Sequence, residues 1–183
     1  TSSALADLSR ANKIFMRRFP GDSPHRQPVH SVYGGAQLYK AETTSKLGEL
    51  AMRAFKKDAP DAFTFAKALE LQGHEALDTT AQELKEFEKT YAQAPDALRE
   101  SCFGAWLAQT VYERVENKIK QEAVEDYRID FEDGYGTRSD DEEDAEALRT
   151  ASELARAMAE NTAPPFIGIR IKTLTEELTH RAV

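Results

Sequence analysis

The sequence predicts an α/β fold, namely the N-terminal part of a (β/α)8 TIM barrel with about three parallel strands and a large helical insertion. Over residues 127–132, charged side chains alternate with apolar ones, which is the period of a strand with one polar face. Gly134 and Gly136 then break the strand. Ser139 and, three residues later, Glu142 form the capping-box signature of a helix start. Strand, glycine turn and capped helix together make a βα unit.

A second strand with a polar face is predicted at residues 166–172. Its isoleucines form an apolar face, and four residues form the other face: Phe166, Gly168, Arg170 and Lys172. Pro28 opens a further short strand near residues 28–33, which Gly34 and Gly35 terminate. We expect these three strands to lie parallel and adjacent.

The polar ends of these strands are candidates for a shared site. In a (β/α)8 barrel the apolar strand faces pack against the helices, and the polar ends project inward at the catalytic rim. The charged pair at the end of residues 166–172 repeats the pattern of the acidic strand. We therefore expect four side chains to converge: Asp130, Glu132, Arg170 and Lys172.

Most of the remaining sequence has the apolar period of helices. The predicted helices cover residues 4–19 and 42–57, a shorter segment around Phe63 to Leu69, a helix capped by Thr80 and Glu83, a helix opened by Pro95, a long helix from Phe103 to at least Ile119, and the helix after Ser139.

The strand count does not complete a barrel, which needs eight strands and ~250 residues. We therefore expect residues 1–183 to be the N-terminal part of one TIM-barrel domain, with the C-terminal part of the barrel as its structural partner. Residues 40–123 are expected to form a helical insertion between the first and second strands. This segment is far longer than a usual βα connection.

Composition narrows the choice of partners and compartment. The net charge of -8 among 183 residues argues against nucleic acid or an anionic membrane as the main partner. No apolar stretch approaches the length of a membrane span, and no signal peptide is recognisable. The single Cys102 cannot form an intramolecular disulfide, which fits a reducing compartment. We expect a cytoplasmic protein that binds a small molecule.

The acidic strand end permits two interpretations from spacing alone. Asp130, Glu132 and Asp133 lie where a strand meets its loop, and functional residues of βα units collect there. The structural alternative is capping of the next turn together with ion pairing, which the sequence supports equally well. Three arginines are available for such pairs: Arg128, Arg138 and Arg170.

Two further features are weaker candidates. Gly34 and Gly35 follow a strand and would let a phosphate or a coenzyme A group approach the backbone, although a simple turn is the favoured interpretation. His30 has no partner at metal-ligand spacing, so a structural histidine is favoured over a ligand.

Three segments resemble the HpcH/HpaI aldolase and citrate-lyase β-subunit superfamily. They are residues 27–36, residues 129–134 with the sequence IDFEDG, and residues 169–172 with the sequence IRIK. The likeness is greatest to a longer bacterial aldolase-like branch that has the same YRIDFEDGYG sequence. The resemblance implies a TIM barrel of the phosphoenolpyruvate-binding type. It also implies cleavage or formation of a C–C bond next to a carbonyl, with Mg²⁺ or another divalent cation and a 2-oxo acid or acyl-CoA thioester as substrate.

The resemblance also implies roles for individual residues. Arg170 matches the arginine that holds the substrate carboxylate or enolate oxygen. Glu132 and Asp133 match the acidic pair near the metal-bound waters, and Asp130 matches the acid that begins this motif. The family's direct metal ligands lie on later strands and have no counterpart in these 183 residues. Two positions depart from the family pattern: Gly134 replaces alanine and Lys172 replaces asparagine.

Two functional classes therefore stand at the level of sequence. The first is a metal-dependent C–C lyase, with Arg170, Glu132 and Asp133 as catalytic residues. Its predicted substrate-binding residues are Arg170, Asp130, Gly34 and Gly35. The second is a non-catalytic interaction module with a degenerate barrel site. Either class leaves a homo-oligomer open.

Overall fold

The computed structural model describes residues 2–77 and 80–183, except for the side chain of Ala81. In this part of the chain a small sheet is combined with eight α-helices. The strands are β1 (Ser31–Gly35), β2 (Asp126–Asp130) and β3 (Phe166–Arg170). The helices are α1 (Ser2–Arg18), α2 (Thr43–Asp58), α3 (Ala62–Ala68), α4 (Ala81–Gln93), α5 (Pro95–Ser101), α6 (Phe103–Glu122), α7 (Asp140–Ala159) and α8 (Thr179–Ala182). The mixed α/β class is thus as predicted.

The three strands form one parallel sheet in the order β1-β2-β3. This confirms the predicted neighbouring parallel strands. The register places Gly35, Asp130 and Arg170 side by side in the last row of the sheet. The C-terminal ends of all three strands therefore meet at one edge, which we call the rim.

The first strand lies later in the chain than predicted, because Gly34 and Gly35 belong to it. A Cβ atom on Gly34 would lie within 3.0 Å of the Tyr127 hydroxyl oxygen. A Cβ atom on Gly35 would lie equally close to the carbonyl oxygen of Gly134. These two glycines therefore allow close packing inside a strand, and they do not form the turn that their sequence suggests.

One face of the sheet packs into a hydrophobic core. Ile129 is fully buried at its centre, and Tyr127 beside it is nearly so. Other buried members of this core are Ala36, Tyr39, Val124 and Tyr135. Leu154 of α7 and Leu47 of α2 pack against the same core. The opposite face carries the polar residues of β2 and is more open, since Tyr33 is 57% exposed there.

The segment 36–42 carries the chain from the rim to the opposite end of the sheet along α7. The Arg149 guanidinium donates hydrogen bonds to the carbonyl oxygens of Ala36 at 2.7 Å and Tyr39 at 2.8 Å. The Thr162 hydroxyl donates to the carbonyl of Ala41 at 2.8 Å. As a result α2 begins at the N-terminal end of the strands, away from the rim.

Helices α2 to α6 form a second unit with its own hydrophobic core, which we call the helical subdomain. They lie between β1 and β2 in the chain. Tyr112 of α6 lies in this core, and its hydroxyl donates a 3.1 Å hydrogen bond to the carbonyl of Ala59. Its ring packs on Phe55, with centroids 4.8 Å apart. Further buried members are Ala62, Phe63, Ala66, Leu77, Leu98, Ala105 and Ala108.

The helix starts follow the local signals in the sequence. Both predicted capping boxes are present, at Thr80 with Glu83 and at Ser139 with Glu142. Pro95 occupies the first turn of α5 as expected. Within the described ranges, no helix combines the length and the apolar character needed to cross a membrane.

Candidate functional site

Four of the residues predicted for the site come together at the rim. Arg170, the last residue of β3, lies beside Asp130 of β2 in the register. Its Nη1 atom is 3.3 Å from Oδ2 of Asp130, and its Nη2 atom is 2.7 Å from Oδ2 of Asp133. Nη2 also forms an ion pair with Glu132. One guanidinium therefore connects all three carboxylates of the acidic motif.

Asp130 is the buried member of this group. It is 3% exposed, and both of its carboxylate oxygens accept hydrogen bonds from the turn that follows β2. The backbone N–H of Glu132 donates to Oδ1 at 2.8 Å, and that of Gly134 donates to Oδ2 at 3.0 Å. A side chain on Gly134 would place its Cβ only 2.9 Å from Oδ2 of Asp130. Asp130 thus shapes the turn and holds Arg170 at the same time.

Glu132 and Asp133 have a different environment, because they are open to solvent. The Glu132 side chain is 23% exposed and the Asp133 side chain is 79% exposed. Each contacts Arg170 through one carboxylate oxygen, and the second oxygen of each has no partner among the described residues. These two free oxygens are available to a bound water, a proton or a ligand.

The rim group carries a net negative formal charge. The hydrogen bond to Asp133 raises the pKa of the Arg170 guanidinium above its ordinary value, and the charges of Glu132, Asp133 and Asp130 act in the same direction. Arg170 therefore stays charged. Three carboxylates against one guanidinium leave two uncompensated negative charges at the rim. A divalent cation would balance this excess.

Tyr33 is a neighbour of Arg170 that the sequence analysis did not select. The Arg170 guanidinium lies over its ring, 5.8 Å from the centroid. Such a cation–π contact attracts the guanidinium to the face of the Tyr33 ring and so limits the orientations of the Arg170 side chain. Strand alternation could have identified Tyr33 from the sequence. It lies two residues before Gly35 in β1 and therefore shares the face of the sheet on which Gly35 lies.

A second polar cluster, formed by Ser31, Asp126 and Arg128, lies on the same face of the sheet, nearer the N-terminal ends of the strands. Asp126 is 1% exposed, and its Oδ2 accepts hydrogen bonds from the Ser31 hydroxyl at 2.5 Å and from Nε of Arg128 at 2.9 Å. Among the three arginines suggested as partners for the acidic motif, only Arg170 contacts it. Arg128 pairs with Asp126 instead, and Arg138 lies over the ring of Tyr135.

Lys172 was expected to join the rim group, and this prediction is wrong. Its ammonium forms an ion pair with the buried Glu143 of α7. Burial alone would raise the pKa of Glu143, but hydrogen bonds from Lys172 and Arg181 outweigh burial and hold this pKa below its ordinary value. The reason is geometric, because Lys172 lies beyond the last residue of β3, where strand alternation no longer sets its direction.

The glycine and histidine candidates have structural surroundings. The space beside Gly34 holds the Tyr127 hydroxyl, and the space beside Gly35 holds the carbonyl of Gly134. A role for these glycines in substrate binding stays a prediction. His30 lies near Glu125, with Nδ1 3.8 Å from Oε2, and its structural role stays a prediction.

The rim residues fit a metal ion only through water. In residues 2–77 and 80–183, no three His, Cys, Asp or Glu side chains are grouped so that they could hold a metal ion directly. Carboxylate oxygens are nevertheless the donors that suit the waters around Mg²⁺, and Glu132 and Asp133 each have one to offer.

Comparison with known proteins identifies a family. Residues 8–183 match a family described as a domain of unknown function, DUF6986. Neither the curated proteins nor the solved structures give a match. Because the matched region covers all but the first seven residues, the chain belongs to the DUF6986 family.

Proposed function

We propose that this chain is the N-terminal part of a (β/α)8 barrel whose complete form is a metal-dependent C–C lyase acting on a 2-oxo acid or an acyl-CoA thioester. The observation that supports this most is the convergence of Arg170 with Asp130, Glu132 and Asp133 at the rim. In parallel α/β sheets and barrels, the C-terminal strand ends are where active sites are found. The resemblance to the aldolase and citrate-lyase superfamily points to the same residues.

The chemistry requires a fixed cation at a developing negative charge. Cleavage of a C–C bond next to a carbonyl produces an enolate, which preorganised charges stabilise. Arg170 supplies a permanent charge and a planar fork that matches a carboxylate or an enolate oxygen. Asp130 and Tyr33 fix its orientation. In the proposed enzyme, substrate binds on the side of the guanidinium that faces the open sheet surface.

The two exposed carboxylates have a different role in this proposal. Glu132 and Asp133 would hold metal-bound water by accepting its hydrogen bonds through the oxygens that Arg170 leaves free. When bound, Mg²⁺ supplies Lewis-acid polarisation of the substrate carbonyl. Glu132 is the less exposed of the two acids, and it is the better placed to hold or move a proton beside Arg170.

Enolate formation gives a test that does not require the true substrate. The native gene product is incubated with Mg²⁺ in D₂O with pyruvate, and in a second sample with acetyl-CoA. Exchange of the methyl protons is followed by NMR. A lyase of this class catalyses exchange in one of the two compounds, because each carries the carbon that becomes the enolate.

Arg170→Gln is the informative variant. We expect it to slow exchange at least about a hundredfold while leaving the circular dichroism spectrum unchanged. Arg17→Gln, on the exposed helix α1, is the matched control and should keep full activity. Full activity in Arg170→Gln would contradict the assignment. Absence of exchange in both compounds would favour the alternative, a non-catalytic interaction module.

A further inference from the structure

Helix α1 has an apolar side that the described part of the chain leaves uncovered. None of its residues is buried. Five large apolar side chains lie along this side, each between 56% and 70% exposed: Leu5, Leu8, Phe15, Met16 and, just after the helix, Phe19. The rings of Phe15 and Phe19 contact each other, with centroids 4.8 Å apart. Because an isolated helix of 17 residues is only marginally stable in water, this side requires a partner surface.

The polar side of α1 is basic, whereas the rest of the chain is acidic. Residues 1–19 contain four basic side chains and one acidic side chain, which gives a net charge of +3. The whole chain has a net charge of -8, so residues 20–183 carry -11. All four basic residues lie in the second half of α1, from Arg10 onward. The surface that complements this helix is therefore acidic, and this chain has such a surface itself.

Helix α7 has a complementary surface on the side that faces away from the sheet. Its buried residues Glu143, Thr150 and Ala157 lie on the opposite side. The outward side is an exposed stripe with alternating spacings of four and three residues: Asp141, Ala145, Leu148, Ser152, Ala155 and Ala159. Its small side chains allow another helix to approach closely. In a (β/α)8 barrel this side of a helix faces outward, so completion of a barrel would not cover it.

The charges indicate how α1 would lie on this stripe. Six of the seven residues from 140 to 146 are acidic, and they are at the start of α7. An antiparallel arrangement places the basic second half of α1 beside them and opposes the dipoles of the two helices. Asp141 is exposed and has no ion pair in the described part of the chain, so it is available to a basic residue of α1.

The α7 helix of the same copy is out of reach in this orientation. The chain from Phe19 to Arg26 spans seven residues and extends at most about 25 Å. Arg26 is held at the N-terminal end of the strands, where it donates a 3.0 Å hydrogen bond to Glu122 at the end of α6. Helix α7 begins beside the rim and has 20 residues, so it is about 30 Å long. Even a fully extended linker therefore falls short of the distance from the start of α7 to Arg26.

We propose that α1 binds a second copy of this chain, antiparallel to α7 of that copy and along its outward stripe. A reciprocal exchange gives a two-fold symmetric dimer in which each copy contributes one α1 and one α7. This inference goes beyond the proposed function, because it uses no residue of the rim. A basic amphipathic helix can also bind an anionic membrane, but such a surface repels the charge of -11 on the rest of the chain.

Self-association of the full-length gene product tests the proposal. Its mass is measured by analytical ultracentrifugation at micromolar concentrations. Phe15→Asp alters α1 and Leu148→Lys alters α7, and both positions are exposed, so the circular dichroism spectrum should not change. We expect the wild-type protein to dimerise and each variant alone to associate at least about tenfold more weakly. Leu50→Asp and Leu50→Lys on α2 are the matched controls, because Leu50 is also exposed, and they should dimerise like wild type.

A mixture of the two variants identifies the contact. The Phe15→Asp protein has an unaltered α7, and the Leu148→Lys protein has an unaltered α1. Each mixed pair therefore has one complete α1–α7 contact, and the two new side chains in the other contact have opposite charges. We expect heterodimers at concentrations at which neither variant associates alone. If α1 instead paired with α1 of the second copy, the Leu148→Lys protein would dimerise alone and the mixture would restore nothing.

Three results would overturn the proposal. The first is a wild-type protein that stays monomeric throughout this concentration range. The second is a dimer that both variants form as readily as the wild-type protein does. The third comes from co-sedimentation with vesicles of phosphatidylcholine and phosphatidylserine: vesicle binding that Phe15→Asp abolishes, without a dimer in solution, would assign α1 to a membrane surface instead.

Discussion

The carbonyl oxygen of Gly134 occupies the space that a side chain on Gly35 would need. The end of β1 is therefore packed directly against the turn that follows β2. The same carbonyl accepts a 3.0 Å hydrogen bond from the Gln37 side chain. Both sides of this contact are backbone, which has little freedom to move. The arrangement of the rim therefore depends on the close approach of Gly35 and Gly134.

Gly35→Ala should destabilise the protein by about 1–3 kcal/mol, because the added methyl group meets the backbone carbonyl of Gly134 as well as the Gln37 side chain, and the backbone cannot move aside as a side chain can. The free energy of unfolding is measured by urea denaturation. Gly48→Ala is the matched control, because its Cβ would lie 3.3 Å from that of Ala123, a tight contact offset by the gain in helix propensity. An equal effect of the two substitutions would contradict this account of the rim.

Two substitutions of Asp130 should lower the stability of the protein by different amounts. Asp130→Ala leaves the N–H groups of Glu132 and Gly134 without their acceptors, which should cost about 1–3 kcal/mol in the free energy of unfolding. Asp130→Asn keeps one acceptor oxygen and should cost less. Thermal and urea denaturation of both variants give the order. If Asn proved as destabilising as Ala, the loss of charge beside Arg170 would be the dominant effect instead.

The helical subdomain depends on one buried hydroxyl group. Tyr112→Phe removes the hydrogen bond to the carbonyl of Ala59 and leaves that carbonyl unpaired, at a cost of about 1–2 kcal/mol. Tyr33→Phe is the control, because the Tyr33 hydroxyl has no hydrogen bond in the described part of the chain and the ring is exposed. Equal unfolding free energies for the two variants would count against the hydrogen bond.

Glu122 gives the clearest pH dependence. Hydrogen bonds from Arg26 and then Lys118 lower the pKa of Glu122 to about 2, from its ordinary value of 4.5. A folded-state pKa below the unfolded value means that the stabilisation is complete above about pH 4.5 and is lost as the pH falls towards 2. Glu122→Gln should therefore lower the melting temperature at pH 7, and the difference from wild type should shrink near pH 2.

The control for this titration is Glu88→Gln on α4, since Glu88 is exposed and has no ion pair among the described residues. Its melting temperature should follow that of the wild-type protein at every pH. A constant difference between Glu122→Gln and wild type from pH 7 to pH 2 would contradict the assigned pKa.

Features with a local cause could be predicted from the sequence. Both capping boxes are complete within four residues, so Ser139 and Thr80 identify their helices without tertiary information. Alternation within the strands likewise placed Asp130 and Arg170 on one face, and their contact followed from parallel neighbours in register.

Features that depend on register or on close contact could not be predicted in this way. Gly35 looks like a strand terminator until the position of Gly134 is known. The pairing of Arg128 with Asp126, two residues away on the same strand, competes with its pairing to Asp130, and sequence spacing alone does not decide between them. Lys172 is two residues past the end of β3, where Glu143 of α7 determines its direction.

The helical subdomain leaves the sheet and returns to it at nearly the same place. Gly48 near the start of α2 lies beside Ala123, just after the end of α6. This junction is at the N-terminal end of the strands, opposite the rim. A change in the length of the subdomain beyond α2 therefore falls at the end of the sheet away from the rim, and the catalytic chemistry proposed for the rim would not have to change with it. Helix α2 itself has to stay, because its Leu47 packs against the core of the sheet.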